Sequence, residues 1–168
     1  MDAFKKPRRK KFTPLKPMRL EGYDYHLPGA YTITICARKL QPLFLHPTLR
    51  DILYKEWENL SKRFANVVPG TMIVMHNHIH CILIIEGNDP HEKSVTDIIG
   101  TYKSIAANAW LRYIKETGDQ QSGKIWKTRF YDHIVRGKID FDTQTAYILN
   151  NPAAFEAKQK KHHKGKEE

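Results

Sequence analysis

Two histidines one residue apart, His78 and His80, lie in the stretch MHNHIHCILII that runs from Met75 to Ile85. On an extended strand the side chains alternate between faces. These two imidazoles therefore point the same way from Cα positions roughly 6.7 Å apart, with Ile79 and Cys81 turned to the opposite side. Two imidazoles on one face can converge on a single cation, and the apolar continuation CILII fixes the strand that carries them. A divalent cation needs more ligands than two, and a catalytic one keeps positions open for substrate, so the rest of the set must come from elsewhere in the chain. His76 joins the pair only if the strand runs straight through Asn77, a residue type that favours a kink or turn.

A second group with chemical potential is DFDTQTAYILNNP, Asp140 to Pro152. With Asp140 as N-cap, helical spacing puts Gln144, Tyr147 and Asn151 on one face and turns Phe141, Ile148 and Leu149 toward another. Tyr147 is thereby presented among polar neighbours, where its hydroxyl can act on an adjacent site. Tyr31 and Tyr102 fall on apolar periodicities and belong to a core, while Tyr23 and Tyr25 lie in the lead-in GYDY. Tyr131, beside Asp132 and on one strand face with His133, is the competing nucleophile.

The elements that must position these residues follow from periodicity. GAYTITICA is a strand around Tyr31 to Cys36, punctuated by Pro28 and Gly29. A Thr48/Asp51 capping pair predicts a helix with Leu49, Ile52, Leu53, Trp57, Leu60 and Phe64 at helical spacing, ended by VVPG. TMIVM and HIHCILII are two strands, and a Ser94/Asp97 pair opens a long helix stopped at Gly118. WKTRFYDHIVRG is a last strand, followed by the tyrosine helix, which Pro152 is expected to close. Strand, helix, strand, strand, helix, strand is the split βαβ or ferredoxin-like α+β pattern. It predicts an antiparallel sheet with helices on one face, an extra C-terminal helix and the other sheet face open for binding.

The 168 residues suit one domain. A formal net charge of +10 makes a polyanion the leading partner class. The charge is densest at the ends: residues 1–20, including Arg8, Arg9, Lys10 and Lys11, form a basic arm, and residues 156–168 a basic tail, both expected to be flexible, around a folded domain over 21–155. No apolar run approaches the ~18 residues of a membrane span, no secretory leader is evident, and Cys36 and Cys81 sit in apolar runs as buried free thiols. The expected location is the cytoplasm.

The segment His78-Ile79-His80, the later IWKTRFYDHIVRG and the YILNNP helix together resemble the single-tyrosine HUH transposases of bacterial insertion sequences. RLEGYDYHLPGAYTITICARKLQPLF and the terminal NNP resemble the REP-associated tyrosine transposase branch in particular, so that the likeness spans Arg19 to about Phe155. It implies that His78 and His80 hold Mg2+ or Mn2+, that Asn151 supplies a third ligand, and that Tyr147 attacks single-stranded DNA to leave a 5′-phosphotyrosine and a free 3′-hydroxyl. It also implies a hairpin-bearing substrate and either a monomer or a homodimer. Relatives often carry proline where this chain has His76.

Phosphate contacts are expected from Lys103, Lys127, Arg129 and Arg136 and from the N-terminal arm. The alternative is a nucleic-acid-binding module of the same fold whose enzymatic site is vestigial. Against it stands the lack, in the sequence, of an evident pair of exposed aromatics for stacking on the open sheet. A phosphodiesterase using histidines as acid and base would need a second histidine motif, which His133, His162 and His163 do not form.

Overall fold

The computed structural model describes residues 19–87 and 92–164, with the side chains of the last helix described as far as residue 153. Arg8, Arg9, Lys10 and Lys11 of the expected arm lie outside the described residues. The elements are β1 (Gly29–Ala37), α1 (Pro47–Glu58), α2 (Leu60–Arg63), β2 (Val67–Val74), β3 (His78–Ile85), α3 (Val95–Thr117), β4 (Trp126–Ile134) and α4 (Gly137–Lys164). The strands form one sheet in the order β2-β3-β1-β4 with every neighbouring pair antiparallel, the split βαβ arrangement expected from the order of elements.

Alternation along β1 and β3 sorts the two faces. Tyr31, Ile33, Ile35 and Ala37 of β1 and Ile79, Cys81 and Leu83 of β3 are fully buried in a core completed by Leu49, Leu53 and Trp57 of α1 and by Ile98, Tyr102, Ala106 and Trp110 of α3. Tyr102 donates its hydroxyl to the Leu53 carbonyl at 2.9 Å, tying α3 to α1. Both cysteines are buried and free. The capping box of Ser94 and Asp97 forms as expected, and Gly118 closes α3 in the left-handed conformation at φ 73.

Three local expectations are corrected. Helix α1 begins at Pro47 with His46 as N-cap, so the Thr48/Asp51 pair makes no cap; the φ fixed by proline's ring suits the first helical position and sets the start there. The stretch VVPG does not merely end a helix but opens β2, and its proline is accommodated because β2 is an edge strand with an irregular register between Pro69 and Met72. Finally, α4 starts at Gly137, with Asp140 inside its first turn, and runs through Pro152 to Lys164. Proline removes one helical hydrogen bond there and does not stop the helix.

Helix α4 crosses the face opposite α1 and α3, packing on β2 and β3. On that face Thr32 and Cys36 of β1 are buried as well, so among the described residues it is open only along β4, a narrower surface than the sequence pattern implied. Close approach matters beneath α4: a Cβ at Gly70 would lie 2.7 Å from the Ile82 carbonyl oxygen and 3.3 Å from the Ile82 Cβ. A Cβ at Gly100 on α3 meets nothing within 4 Å. Gly70→Ala should accordingly lower stability by about 1–3 kcal/mol, whereas Gly100→Ala should raise it by about 0.5–1 kcal/mol. Urea unfolding of the two variants against wild type checks the opposite signs.

Candidate functional site

His78 and His80 lie on the α4 side of β3, half-buried, their ring centroids 4.6 Å apart and their planes at 80°. Each has its Nδ1 engaged by a neighbour. Asn77 Oδ1 is 2.7 Å from His78 Nδ1, and the same amide donates through Nδ2 to the Leu40 carbonyl at 3.2 Å. With the amide so oriented, Oδ1 accepts, His78 Nδ1 carries the proton, and Nε2 keeps its lone pair. Thr34 Oγ1, on the residue of β1 that pairs with His80 in register, is 3.0 Å from His80 Nδ1. Such outer partners fix the orientation of imidazoles that ligate metals. The loop that receives Asn77 is itself unusual, because Lys39 and Leu40 both have positive φ, 54 and 52.

Burial disfavours the charged form of both rings. The His80 pKa is pushed down to about 4 by desolvation first and by His78 second, and that of His78 is lowered by desolvation and then by His76. Both are neutral at neutral pH, the state in which an imidazole can ligate. His76 stands outside β3, its ring 6.3 Å from that of His78.

The second half of the site comes from α4. Asp140 receives three groups at once: His133 Nε2 at 2.9 Å, the Arg136 N–H at 2.8 Å and Gln144 Nε2 at 3.3 Å. These hydrogen bonds hold its carboxyl below the usual carboxylate range, the Arg136 N–H contributing most. Since His133 pairs with Thr32, and Thr32 with Ile82, α4 starts over the Ile82 row of the sheet. Two turns later the Tyr147 ring meets the His80 ring edge-on, with centroids 5.8 Å apart. The helix thus descends from the Ile82 row to the His80 row, and Asn151 follows Tyr147 one turn later. Ile148, fully buried, anchors this part of α4 while Tyr147 stays 60% exposed. Asn151 Nδ2 is buried with no hydrogen-bond partner among the described residues; the atom of this amide able to hold a cation is Oδ1.

Among the described residues no three His, Cys, Asp or Glu side chains converge as a metal group. The donors on offer are two neutral imidazoles, His78 with its Nε2 lone pair available and His80 in the tautomer where Nδ1 donates to Thr34, and the Asn151 amide oxygen. They fit a divalent cation that completes its shell with oxygen from substrate, manganese more readily than magnesium on the imidazole side.

Comparison of the whole fold with solved structures finds a REP-associated tyrosine transposase bound to a REP hairpin, at TM-score 0.61 and 20% identity over 82% of this chain and 74% of that one. The fold is that of the REP-associated tyrosine transposases. A candidate transposase from Deinococcus radiodurans R1 is also similar, at TM-score 0.51 and 16% identity over 79% of this chain and 95% of that one. In sequence the chain is 29% identical to an uncharacterized protein of Haemophilus influenzae, covering 86% of this chain and 91% of that protein. No family model matches.

On this REP-transposase fold the expected basic residues are distributed unevenly. Lys127 and Arg129 are exposed on β4, in the stretch where its register against β1 shifts, and Lys127 lies beside the ring of Tyr131, whose register partner is Thr34 on the histidine face. Arg136 is exposed at the entrance to α4. Lys103 is half-buried and donates Nζ to the Lys127 and Thr128 carbonyls at 2.8 and 3.0 Å, so it ties α3 to β4 and is not presented on the histidine face. Tyr131 on β4 and Tyr147 on α4 are 47% and 60% exposed, so only the first is an accessible aromatic on the sheet itself. Sequence reasoning missed the roles of Asn77 and Thr34. Adjacency to His78 hinted at the first, whereas the second depends on a strand pairing that no local pattern carries.

The depressed His80 pKa has a consequence for the metal-free protein. An unfolded histidine takes up a proton near pH ~6.5, but the folded His80 resists protonation until about 4. Its neutral form is compatible with the fold above that upper value, and stability is lost as pH falls through the window between the two. Thermal melts across this range should show a falling midpoint, with a shallower slope in His80→Gln; equal slopes would show that His80 is not the group responsible.

Proposed function

We propose that this chain cleaves and rejoins single-stranded DNA as a transposase-like enzyme, with Tyr147 as nucleophile and with His78, His80 and Asn151 as ligands for a divalent cation. The observation that carries this reading is the edge-on contact of Tyr147 with His80, 5.8 Å between centroids, which sets an exposed phenol beside two neutral imidazoles. The chemistry a bound magnesium or manganese ion supplies at such a site is charge compensation, at a nonbridging phosphate oxygen and at the phenolate.

The chain's own residues account for the rest. Tyr147 Oη bonds to the scissile phosphorus, the bond from phosphorus to the 3′ oxygen breaks, and that oxygen leaves as a 3′-hydroxyl after taking up a proton. The phenol proton passes to solvent. One phosphodiester is exchanged for another, so rejoining is the reverse attack by a 3′-hydroxyl and needs no nucleotide cofactor. Ile148 holds the nucleophile's helix against the sheet, and Asn77 and Thr34 hold the imidazoles. Lys127, Arg129 and Arg136 offer charge to the backbone, Lys103 adds to the same positive potential, and Arg8, Arg9, Lys10 and Lys11 would reach the stem of a folded substrate. The hairpin-bound transposase with the same fold supports a hairpin-bearing strand as the DNA partner.

A second reading, a binding module without cleavage, is favoured by one observation, the exposed rings of Tyr131 on β4 and Tyr147 on α4, which would stack bases whether or not a bond is cut. Incubating the chain with hairpin-bearing single-stranded DNA and manganese or magnesium separates the two. The enzymatic reading expects a denaturation-resistant protein–DNA adduct that disappears with a chelator and is lost in Tyr147→Phe while DNA binding remains. His80→Ala should cut adduct formation by about 10²-fold or more, the scale seen when one electrostatic element of an active site is removed. An adduct persisting in Tyr147→Phe rejects that nucleophile, and binding without adduct under every metal condition favours the module.

A further inference from the structure

Tyr131 has an environment that neither the fold nor the proposed cleavage chemistry requires. Its ring is 47% exposed on the histidine face of β4, and its hydroxyl makes no hydrogen bond among the described residues. Its register partner on β1 is Thr34, the residue that engages His80. With strands spaced about 4.8 Å apart, Tyr131 stands two strands and roughly 10 Å from His80 along one row of the sheet. Helix α4 packs over β2 and β3, whereas Lys127, Tyr131 and His133 on β4 are exposed.

The surroundings are selectively cationic. Lys127 Nζ lies 6.0 Å from the Tyr131 ring centroid, and Arg129, between them in sequence, is exposed. The nearby acids are taken up elsewhere: Asp132 turns to the other face, where its buried carboxylate pairs with Arg19 at 2.7 Å, and Asp140 is held by His133 and the Arg136 N–H. An exposed aromatic ring beside Lys127, with no carboxylate on its strand face among the described residues, suits a base stacked on the ring with its phosphate against the cation. A protein partner would need acidic groups at this spacing but would gain nothing special from the ring's position in the His80 row.

We propose that Tyr131 is a stacking platform for one unpaired base of the strand next to the cleaved phosphate, with Lys127 and Arg129 holding the flanking backbone. This rests on the single-stranded DNA reading above and adds to it a residue that sets where along the strand the scissile phosphate falls. Tyr131 acts through its ring, and the hydroxyl has no part.

The test uses the full chain and a hairpin oligonucleotide with single-stranded flanks, in which a fluorescent adenine analogue is placed at each flank position in turn, because stacking on an aromatic ring quenches its emission. The proposal expects quenching at one flank position. Tyr131→Ala should abolish the quench and weaken binding roughly tenfold, within the range for loss of one base–aromatic stack, and Tyr131→Phe should restore both. Thermal melts establish that the alanine variant is folded. A quench and affinity unchanged in Tyr131→Ala overturn the proposal, as does a Tyr131→Phe variant as defective as alanine. Adduct formation is scored separately: a Tyr131-dependent quench without any adduct supports the platform while rejecting cleavage, and an adduct without the quench does the reverse.

Discussion

Everything about the histidine pair depends on the register of β3 in the centre of the sheet. Its odd-numbered residues Ile79, Cys81 and Leu83 fill the core against α1 and α3, and this burial leaves His78 and His80 no choice but the other face. A slip of one residue would drive two imidazoles into an apolar core and turn Ile79, Cys81 and Leu83 out of it, so the hydrophobic effect itself enforces the orientation of the polar pair. Pairing on both sides, with β1 and with β2, removes the freedom to slip locally. Orientation of the rings within that face is then a smaller, local matter of Asn77 and Thr34.

The counterpart on α4 is held by different physics. Its entrance is fixed by polar ties, Asp140 accepting from the Arg136 N–H and Gln144 and meeting His133, and its middle by the burial of Ile148. Polar ties give direction at exposed positions without much stabilisation, because water competes for the same groups. Buried apolar area gives stabilisation without direction. The two together bring Tyr147 onto the His80 ring, and neither alone would set both the axis of the helix and its rotation.

Much of the fold was legible from local pattern. The alternation in β1 and β3, the Ser94/Asp97 box and the Gly118 cap are all signals contained within a few residues, and all appear in the structure. The starts of α1 and α4 were not, because several residues in each stretch can cap and the winner depends on packing: Pro47 displaces Thr48, and Gly137 precedes Asp140. The proline in VVPG reads as a breaker locally and is a strand residue because β2 lies at an edge, a fact about the sheet. The same limit applies to the site. Spacing placed His78 with His80 and Tyr147 with Asn151, yet the meeting of Tyr147 with His80, the row that joins His80, Thr34 and Tyr131, and the commitment of Lys103 to backbone carbonyls are non-local pairings with no trace in any one segment.

The attachment of α4 has a dynamic consequence. Of its described side chains only Ile148 is fully buried, whereas α1 and α3 each bury several and share the central core. Over its described side chains α4 buries far less apolar surface than α1 and α3, the condition under which a helix opens locally at a lower free energy than global unfolding. The sheet with its histidines can stay folded while the tyrosine helix exchanges its amide hydrogens. The two halves of the site thus belong to parts of the molecule that open on different free-energy scales, and global unfolding measures the strand half while saying little about the helix half.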